Sequence, residues 1–212
     1  MIKYHAIIFD LDGVICSTDH SHYLAWKKIA DEIGVYFDEI VNNQLRGIGR
    51  MESLEALLGS KSDEFSHEAK KKLAEQKNMI YRNLLKKMSP QDLSPEVKKT
   101  LDQIKNRGIK IAIGSSSKNA KLILKQIGLE NYFDVISDGT NITRSKPDPE
   151  VFLKASDYLK IAPEYCLVVE DAIAGVEAAL SANMDCAAIG DAANYEKATY
   201  KLEHFSDLLQ FV

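Results

Sequence analysis

Short apolar runs and stretches of helical periodicity alternate along most of the chain. Residues 6–9 (AIIF), 109–113 (IKIAI), 166–169 (CLVV) and 186–189 (CAAI) form four such runs, and 135–136 is a weaker fifth. Short, nearly continuous apolar runs suit strands buried on both faces, as in a parallel sheet. Between them the apolar positions recur at helical spacing. Val97, Leu101 and Ile104 mark a helix over 97–106 that Gly108 closes, a second over 120–127 ends at Gly128, and a third over 172–182 precedes Asn183. Asp148-Pro149-Glu150 reads as N-cap, N1 proline and acidic first turn of a helix over 151–159. This β-α alternation predicts an α/β fold with a doubly wound parallel sheet.

From Thr18 to Met88 the pattern is helical only: Leu24, Ala25, Ile29 and Ile33, then Leu54, Leu57 and Leu58, then 73–85. No strand run interrupts it, so a helical insertion directly after the first strand is expected. The stretch MSPQDLSP at 88–95, with two prolines and two serines, reads as its far hinge. The expected organisation is an α/β core from residues 1–17 and 91–212 and an α-helical cap from 18–90, hinged near 17–18 and 89–95.

Composition adds exclusions. With 212 residues, 45% hydrophobic, 27% charged and a formal net charge of −4, the chain matches an ordinary soluble globular protein. Lysines and arginines spread along it argue against a nucleic-acid platform. No apolar run reaches the length of a membrane span, and Met1-Ile2-Lys3-Tyr4 leads straight into a strand, so no signal peptide is expected. Cys16, Cys166 and Cys186 are far apart and lack C-x-x-C spacing, which disfavours a disulfide framework or zinc site. All three are expected in the core, and a reducing cytoplasm is the expected compartment.

The chemistry gathers at strand ends. In open parallel sheets ligands bind beyond the carboxyl ends of the strands. There the sequence places Asp10 and Asp12, then Ser115-Ser116-Ser117, then Glu170-Asp171. Residues i and i+2 of an extended chain share a side, so Asp10 and Asp12 face one cleft. Carboxylates so close repel one another and call for a cation. Hard oxygen ligands of this kind suit Mg²⁺, although Asp171 alone could equally cap the helix it precedes. Lys146, in SKPD, could neutralise a phosphoryl oxygen beside that cluster. Residues 115–119 open a helix whose free N–H groups could meet an anion; capping by Ser117 or Asn119 would use the same residues.

FDLDGV at the first strand end, a strand-terminal serine, the loop KPDP and a strand-terminal ED resemble the four motifs of the haloacid dehalogenase superfamily, and the helical insertion resembles its small α-helical cap. Within it, TDHSHYLAW, RGIGRMESL, MSPQDL and SSSKN are similar to the β-phosphoglucomutase family over nearly all of the chain up to about Gly190. Residues 191–212 depart from the usual family tail and carry no functional expectation. The resemblance implies Asp10 as nucleophile, Asp12 as general acid/base, and Ser115 and Lys146 as phosphoryl contacts. It implies Mg²⁺ held by the Asp10 side chain, the Asp12 main-chain carbonyl and Asp171, with Glu170 acting mainly through metal-bound water. Arg50, Ser117, Lys118 and Asn119 are implied as a second phosphate anchor. Thr18, His22, Trp26, Arg46, Gly47, Ser53 and Lys77 are implied on the substrate side of the cap. Trp26 could equally be cap core, Lys77 one more solvated lysine, and Thr18 a helix cap. Gly49 stands where a small polar residue is expected, which would loosen a contact near the substrate, and Ser17 replaces an acidic residue.

Three functions fit this set. The first is interconversion of β-D-glucose 1-phosphate and glucose 6-phosphate through an aspartyl phosphate and the 1,6-bisphosphate. The second is a sugar-phosphate phosphatase with the same catalytic quartet, and the third a non-catalytic phosphosugar-binding module. Small sugar phosphates are the expected partners, with no nucleic acid, no membrane and a monomeric chain.

Overall fold

The computed structural model describes residues 3–212. Met1 and Ile2, part of the expected opening of the first strand, lie outside the described residues, and Lys3 and Tyr4 precede the strand rather than form it. Six parallel strands run in the order β3-β2-β1-β4-β5-β6. They are β1 (Ala6–Phe9), β2 (Lys110–Gly114), β3 (Val135–Ser137), β4 (Cys166–Glu170), β5 (Asp185–Ala188) and β6 (Tyr200–Lys201). The central strand β1 pairs Ile7 with Ile111 of β2 on one side and with Leu167 of β4 on the other.

The period-two alternation of a strand sorts each apolar run into two layers. Ile7, Phe9, Ile111, Ile113, Leu167 and Val169 face the side covered by α5 (Pro95–Asn106) and α6 (Ala120–Gln126). Ala6, Ile8, Ala112, Cys166, Val168 and Cys186 face α7 (Glu150–Leu159) and α8 (Ile173–Ser181). The doubly wound sheet expected from the sequence is therefore present, and all three cysteines are buried and free. Among the described residues no helix is long and apolar enough to cross a membrane.

Four helices separate β1 from the rest of the sheet: α1 (Asp19–Glu32), α2 (Glu39–Asn43), α3 (Arg50–Leu58) and α4 (His67–Leu85). Trp26, Ile29, Phe37, Leu54, Leu57, Leu58 and Ala74 give the insertion its own hydrophobic centre. The last turns of α4 depart from the expected boundary, because Tyr81 and Leu85 pack into the core of the α/β sheet instead. The stretch expected as the far hinge contains a turn of its own. Pro90–Asp92 form one 3₁₀ turn, with Asp92 Oδ2 accepting from the Ser89 amide at 2.7 Å. Helix α7 takes in Glu150 ahead of the expected 151–159, and its N-cap is Pro149 rather than Asp148, although the Asp148 carboxylate still accepts from the Glu150 amide at 3.0 Å. β6 lies in the tail that carried no functional expectation, and Phe205 and Leu208 behind it enter the main core.

Candidate active site

Asp10 follows β1 directly, its amide donating to Val169 O at 2.9 Å, so its carboxylate projects past the carboxyl edge of the sheet beside the end of β4. Lys146 reaches it from the loop before α7. Its Nζ donates to Asp10 Oδ1 at 2.5 Å and to Glu170 Oε1, with 1% of the lysine side chain exposed. Burial alone would pull this lysine down, but the Asp10 and Glu170 charges outweigh it and hold Lys146 above its ordinary value. The other Glu170 oxygen accepts from the amides of Asp171 and Ala172 at 3.0 and 3.1 Å, which fixes the carboxylate.

One carboxylate oxygen from each of Asp10, Glu170 and Asp171 falls within a sphere in which all lie within 4.8 Å of one another. Burial, then the charges of Asp10, Glu170 and Asp12, push the Asp171 carboxyl upward; burial pushes Glu170 upward in spite of Lys146. A single lysine does not balance this much negative charge, and hard, anionic oxygen donors fit a divalent cation. Two glycines make the packing possible. A Cβ on Gly175 would land on the Glu170 carboxylate, and one on Gly13, whose φ is +94°, would land on that of Asp171.

Asp12 is held apart from that trio. Thr18 donates to Asp12 Oδ1 through its amide at 2.6 Å and to Oδ2 through its hydroxyl. Thr18 thus holds the N-cap position of α1 without a side-chain cap bond, its hydroxyl serving Asp12. Tyr81 OH lies 2.8 Å from the same hydroxyl and, with Asp12 ionised, donates to it. Burial raises Asp12 to about 7, with the Thr18 hydrogen bonds opposing. Its side chain keeps 24% exposure, but it opens into a cleft walled by protein.

His22 and Lys77 continue the chain of contacts. Lys77 Nζ lies 2.8 Å from His22 Nδ1, and His22 Nε2 lies 3.5 Å from Asp12 Oδ2. Burial, then the charges of Lys77 and Arg50, drive His22 well below its ordinary value. Neutral and accepting at Nδ1, the ring carries its proton on Nε2, toward Asp12. Lys77 is buried between the Trp26 and Tyr81 rings, 4.8 and 4.5 Å from their centroids, and burial lowers it to about 7. The solvated-lysine alternative is therefore wrong, and Trp26 serves both the cap core and the cleft wall.

Most of these groups line one cavity of about 480 Å³ between the sheet edge and the cap. It brings together Asp10, Asp12, His22, Trp26, Arg46, Gly47, Arg50, Ser53, Lys77, Ser115, Ser117, Lys118, Asn119, Glu170 and Asp171. Thr18 and Lys146 stand just behind, each touching a lining carboxylate. Arg50 has no carboxylate within ion-pair distance among the described residues; burial pulls its guanidinium below its ordinary value, against the opposing charge of Glu75. Ser115 Oγ accepts from the Ser117 amide at 3.2 Å, and Ser117 Oγ accepts from the Asn119 amide at 3.1 Å, so the loop caps itself while facing the cavity.

Two expected ligand contacts have other partners. The Asn119 amide group donates to Asn78 Oδ1 and accepts from Arg82 Nη1, both at 3.0 Å, tying α4 to the sheet domain. The terminal nitrogens of Arg46 pair with Asp19 and Asp191. The space left by Gly49 is occupied: a Cβ there would meet the Glu52 carboxylate and stand 2.6 Å from Ser145 Oγ. Sequence reasoning missed Tyr81, Asn78 and Arg82. Their signal was the i, i+4 spacing of Lys77 with Tyr81 and of Asn78 with Arg82, two adjacent stripes on one helix.

The sequence matches the haloacid dehalogenase-like hydrolase family over residues 4–183. The chain belongs to that family. It is 41% identical over 205 residues to a β-phosphoglucomutase of Bacillus subtilis, covering 96% of this chain and 91% of the relative. It is 33% identical to a phosphorylated carbohydrates phosphatase of Thermotoga maritima, covering 85% of this chain and 82% of that one. The crystal structure of a β-phosphoglucomutase from Clostridium difficile superposes with a TM-score of 0.92 at 40% identity, covering 97% and 93% of the two chains. Haloacid dehalogenase-like proteins thus supply the frame in which the buried carboxylates, Lys146 and the cap are read.

Proposed function

We propose that this protein is a phosphomutase that interconverts β-D-glucose 1-phosphate and glucose 6-phosphate by way of β-glucose 1,6-bisphosphate. One observation carries the choice. Asp10, backed by Lys146, lines the core side of a cavity whose cap wall presents Arg50, a guanidinium without an ion-pair partner among the described residues. A monophosphatase needs one phosphate site; a mutase working through a bisphosphate needs two. Arg50, with Lys118 on the opposite wall, supplies cationic donors for the second. The names of the relatives from Bacillus subtilis and Clostridium difficile support the same activity.

In this scheme the Asp10 carboxylate attacks phosphorus and becomes the aspartyl phosphate. Lys146 fixes Asp10 and meets the charge of the transferring group. Asp12 passes a proton to the departing sugar oxygen and takes one from the attacking hydroxyl, held in place by Thr18. His22 and Lys77 position Asp12 from the cap side, and Ser115 faces the phosphoryl group. Asp10, Asp171 and the Asp12 carbonyl, with Glu170 behind them, would hold Mg²⁺, which when bound neutralises phosphate charge during in-line transfer. Trp26, Gly47 and Ser53 border the sugar, with Thr18 behind Asp12. The cap is residues 18–90 and the core residues 1–17 and 91–212, closing about 17–18 and 89–95 to exclude water. One copy of the chain suffices, and the three free thiols suit a reducing cytoplasm.

The phosphatase related to this chain gives a second reading, in which water takes the phosphoryl group from Asp10. A paired assay separates them. With Mg²⁺, β-glucose 1-phosphate and a trace of the 1,6-bisphosphate, one channel follows glucose 6-phosphate and the other free phosphate. We expect glucose 6-phosphate with little phosphate release, and neither product from Asp10→Asn. Phosphate alone would establish the phosphatase instead.

A further inference from the structure

We propose that Asp191 is a positioning residue that latches the cap over the cleft through Arg46, limiting loss of the phosphoryl group to water. This rests on the reading of Asp10 as phosphoryl carrier. Arg46 lies in the cap loop between α2 and α3, and its guanidinium bridges two carboxylates from opposite ends of the chain. One terminal nitrogen pairs with Asp19, in the first turn of α1; the other pairs with Asp191, just beyond β5. Arg46 Nε is buried and has no partner, so all its pairing runs through that fork. A planar guanidinium can hold two carboxylates in fixed directions, which a lysine ammonium on a flexible stem does less well.

The core side of the seam is anchored to the catalytic site. The Ala192 amide donates to Asp171 O at 3.0 Å, so the segment carrying Asp191 moves with a member of the carboxylate trio. The residue after Arg46 also meets the core: a Cβ on Gly47 would stand 3.3 Å from the Ala172 Cβ. Arg46 therefore joins the hinge-side turn of α1, the cap loop and the core beside Asp171 at one point. Asp191 is 76% exposed, so this pair adds little to global stability and is screened by salt. Its effect is on the balance between cap positions, where a small bias decides how often water reaches the aspartyl phosphate. In that side reaction a water oxygen bonds to phosphorus as the bond to Asp10 breaks, yielding inorganic phosphate and the free carboxylate.

Asp191→Asn removes the charge and keeps the shape. In the paired assay the ratio of free phosphate to glucose 6-phosphate should rise about 2–5-fold, the range that a weak exposed ion pair can shift. Asp191→Glu should restore much of the wild-type ratio, and Glu203→Gln, an exposed acid outside the seam, should not change it. Raising NaCl to about 0.5 M should move the wild type toward the variant and leave the variant nearly unchanged. Small-angle scattering with Mg²⁺ and beryllium fluoride gives a readout independent of the sugar: the variant should be less compact than the wild type. An unchanged product ratio and unchanged scattering in Asp191→Asn would overturn the latch. If the wild type made no glucose 6-phosphate, the mutase reading would fall and scattering alone would decide the latch.

Discussion

Lys146 shows how a single side chain can hold a site together and also make it fragile. Its ammonium is buried against Asp10 and Glu170, and neither carboxylate has another cation among the described residues. Removing one partner of a buried charge cluster costs far more than the cluster contributes relative to an apolar replacement. Lys146→Met should therefore abolish turnover and lower stability by ~3–5 kcal/mol at pH 8 in the absence of metal. The loss should shrink toward pH 5, where the abandoned Glu170 carboxyl, already pushed up by burial, takes up a proton. Denaturant melts at the two pH values measure this, and an equal loss at both would mean that charge is not the cause. Asp12 lies at the same scale but has a different environment. With Thr18 on both oxygens and a carboxyl raised to about 7 by burial, it is poised to give and take a proton near neutrality.

At the scale of elements, the turn after β1 passes close against Asp171, just beyond the end of β4. Gly13 permits that turn with a φ of +94°, and any side chain there would collide with Asp171. Gly13→Ala should lower stability by about 1–2 kcal/mol from backbone strain and weaken Mg²⁺ binding by displacing Asp171. Calorimetric titration with Mg²⁺ checks the second effect; full affinity would show that the turn can relax without moving the carboxylate. The central strands were legible as short continuous apolar runs buried on both faces, and the four core helices from helical spacing and their cap residues. β6 was not: a two-residue edge strand, Tyr200-Lys201, has no period to read. The gathering of Asp10, Asp12, Ser115, Glu170 and Asp171 was legible because strand ends of a parallel sheet converge; Lys146, on a loop, was legible only through the resemblance of its motif. The capture of Asn119 by Asn78 and Arg82, and of Arg46 by Asp19 and Asp191, was not, since each depends on how the cap meets the core rather than on any local pattern.

For the whole molecule, the gathered carboxylates make stability depend on pH with a defined sign. Burial raises the Asp12, Glu170 and Asp171 carboxyls in the folded protein above the values they have when unfolded. Between the unfolded and folded values the native state binds more protons, so unfolding is favoured as pH rises. The metal-free protein should lose thermal stability from about pH 4 upward through neutrality. Asp171→Asn should flatten that slope, and saturating Mg²⁺ should offset it most at the alkaline end. Melting curves across pH with chelator and with Mg²⁺ test this; a metal-free protein that gained stability over the same range would contradict it.

Helix α4 belongs to two bodies at once. Its first half, through Ala74, packs in the cap, while Tyr81 and Leu85 are embedded in the core below the sheet edge. At 1.5 Å per residue its 19 residues make a rod about 28 Å long, so a tilt of about 10° at the embedded end swings the free end by about 5 Å. Lys77 sits near the fulcrum, beside His22, and would move little during such a swing. A helix so placed would act as a lever: a small repacking around Tyr81 would be geared into a larger displacement at the mouth of the cleft.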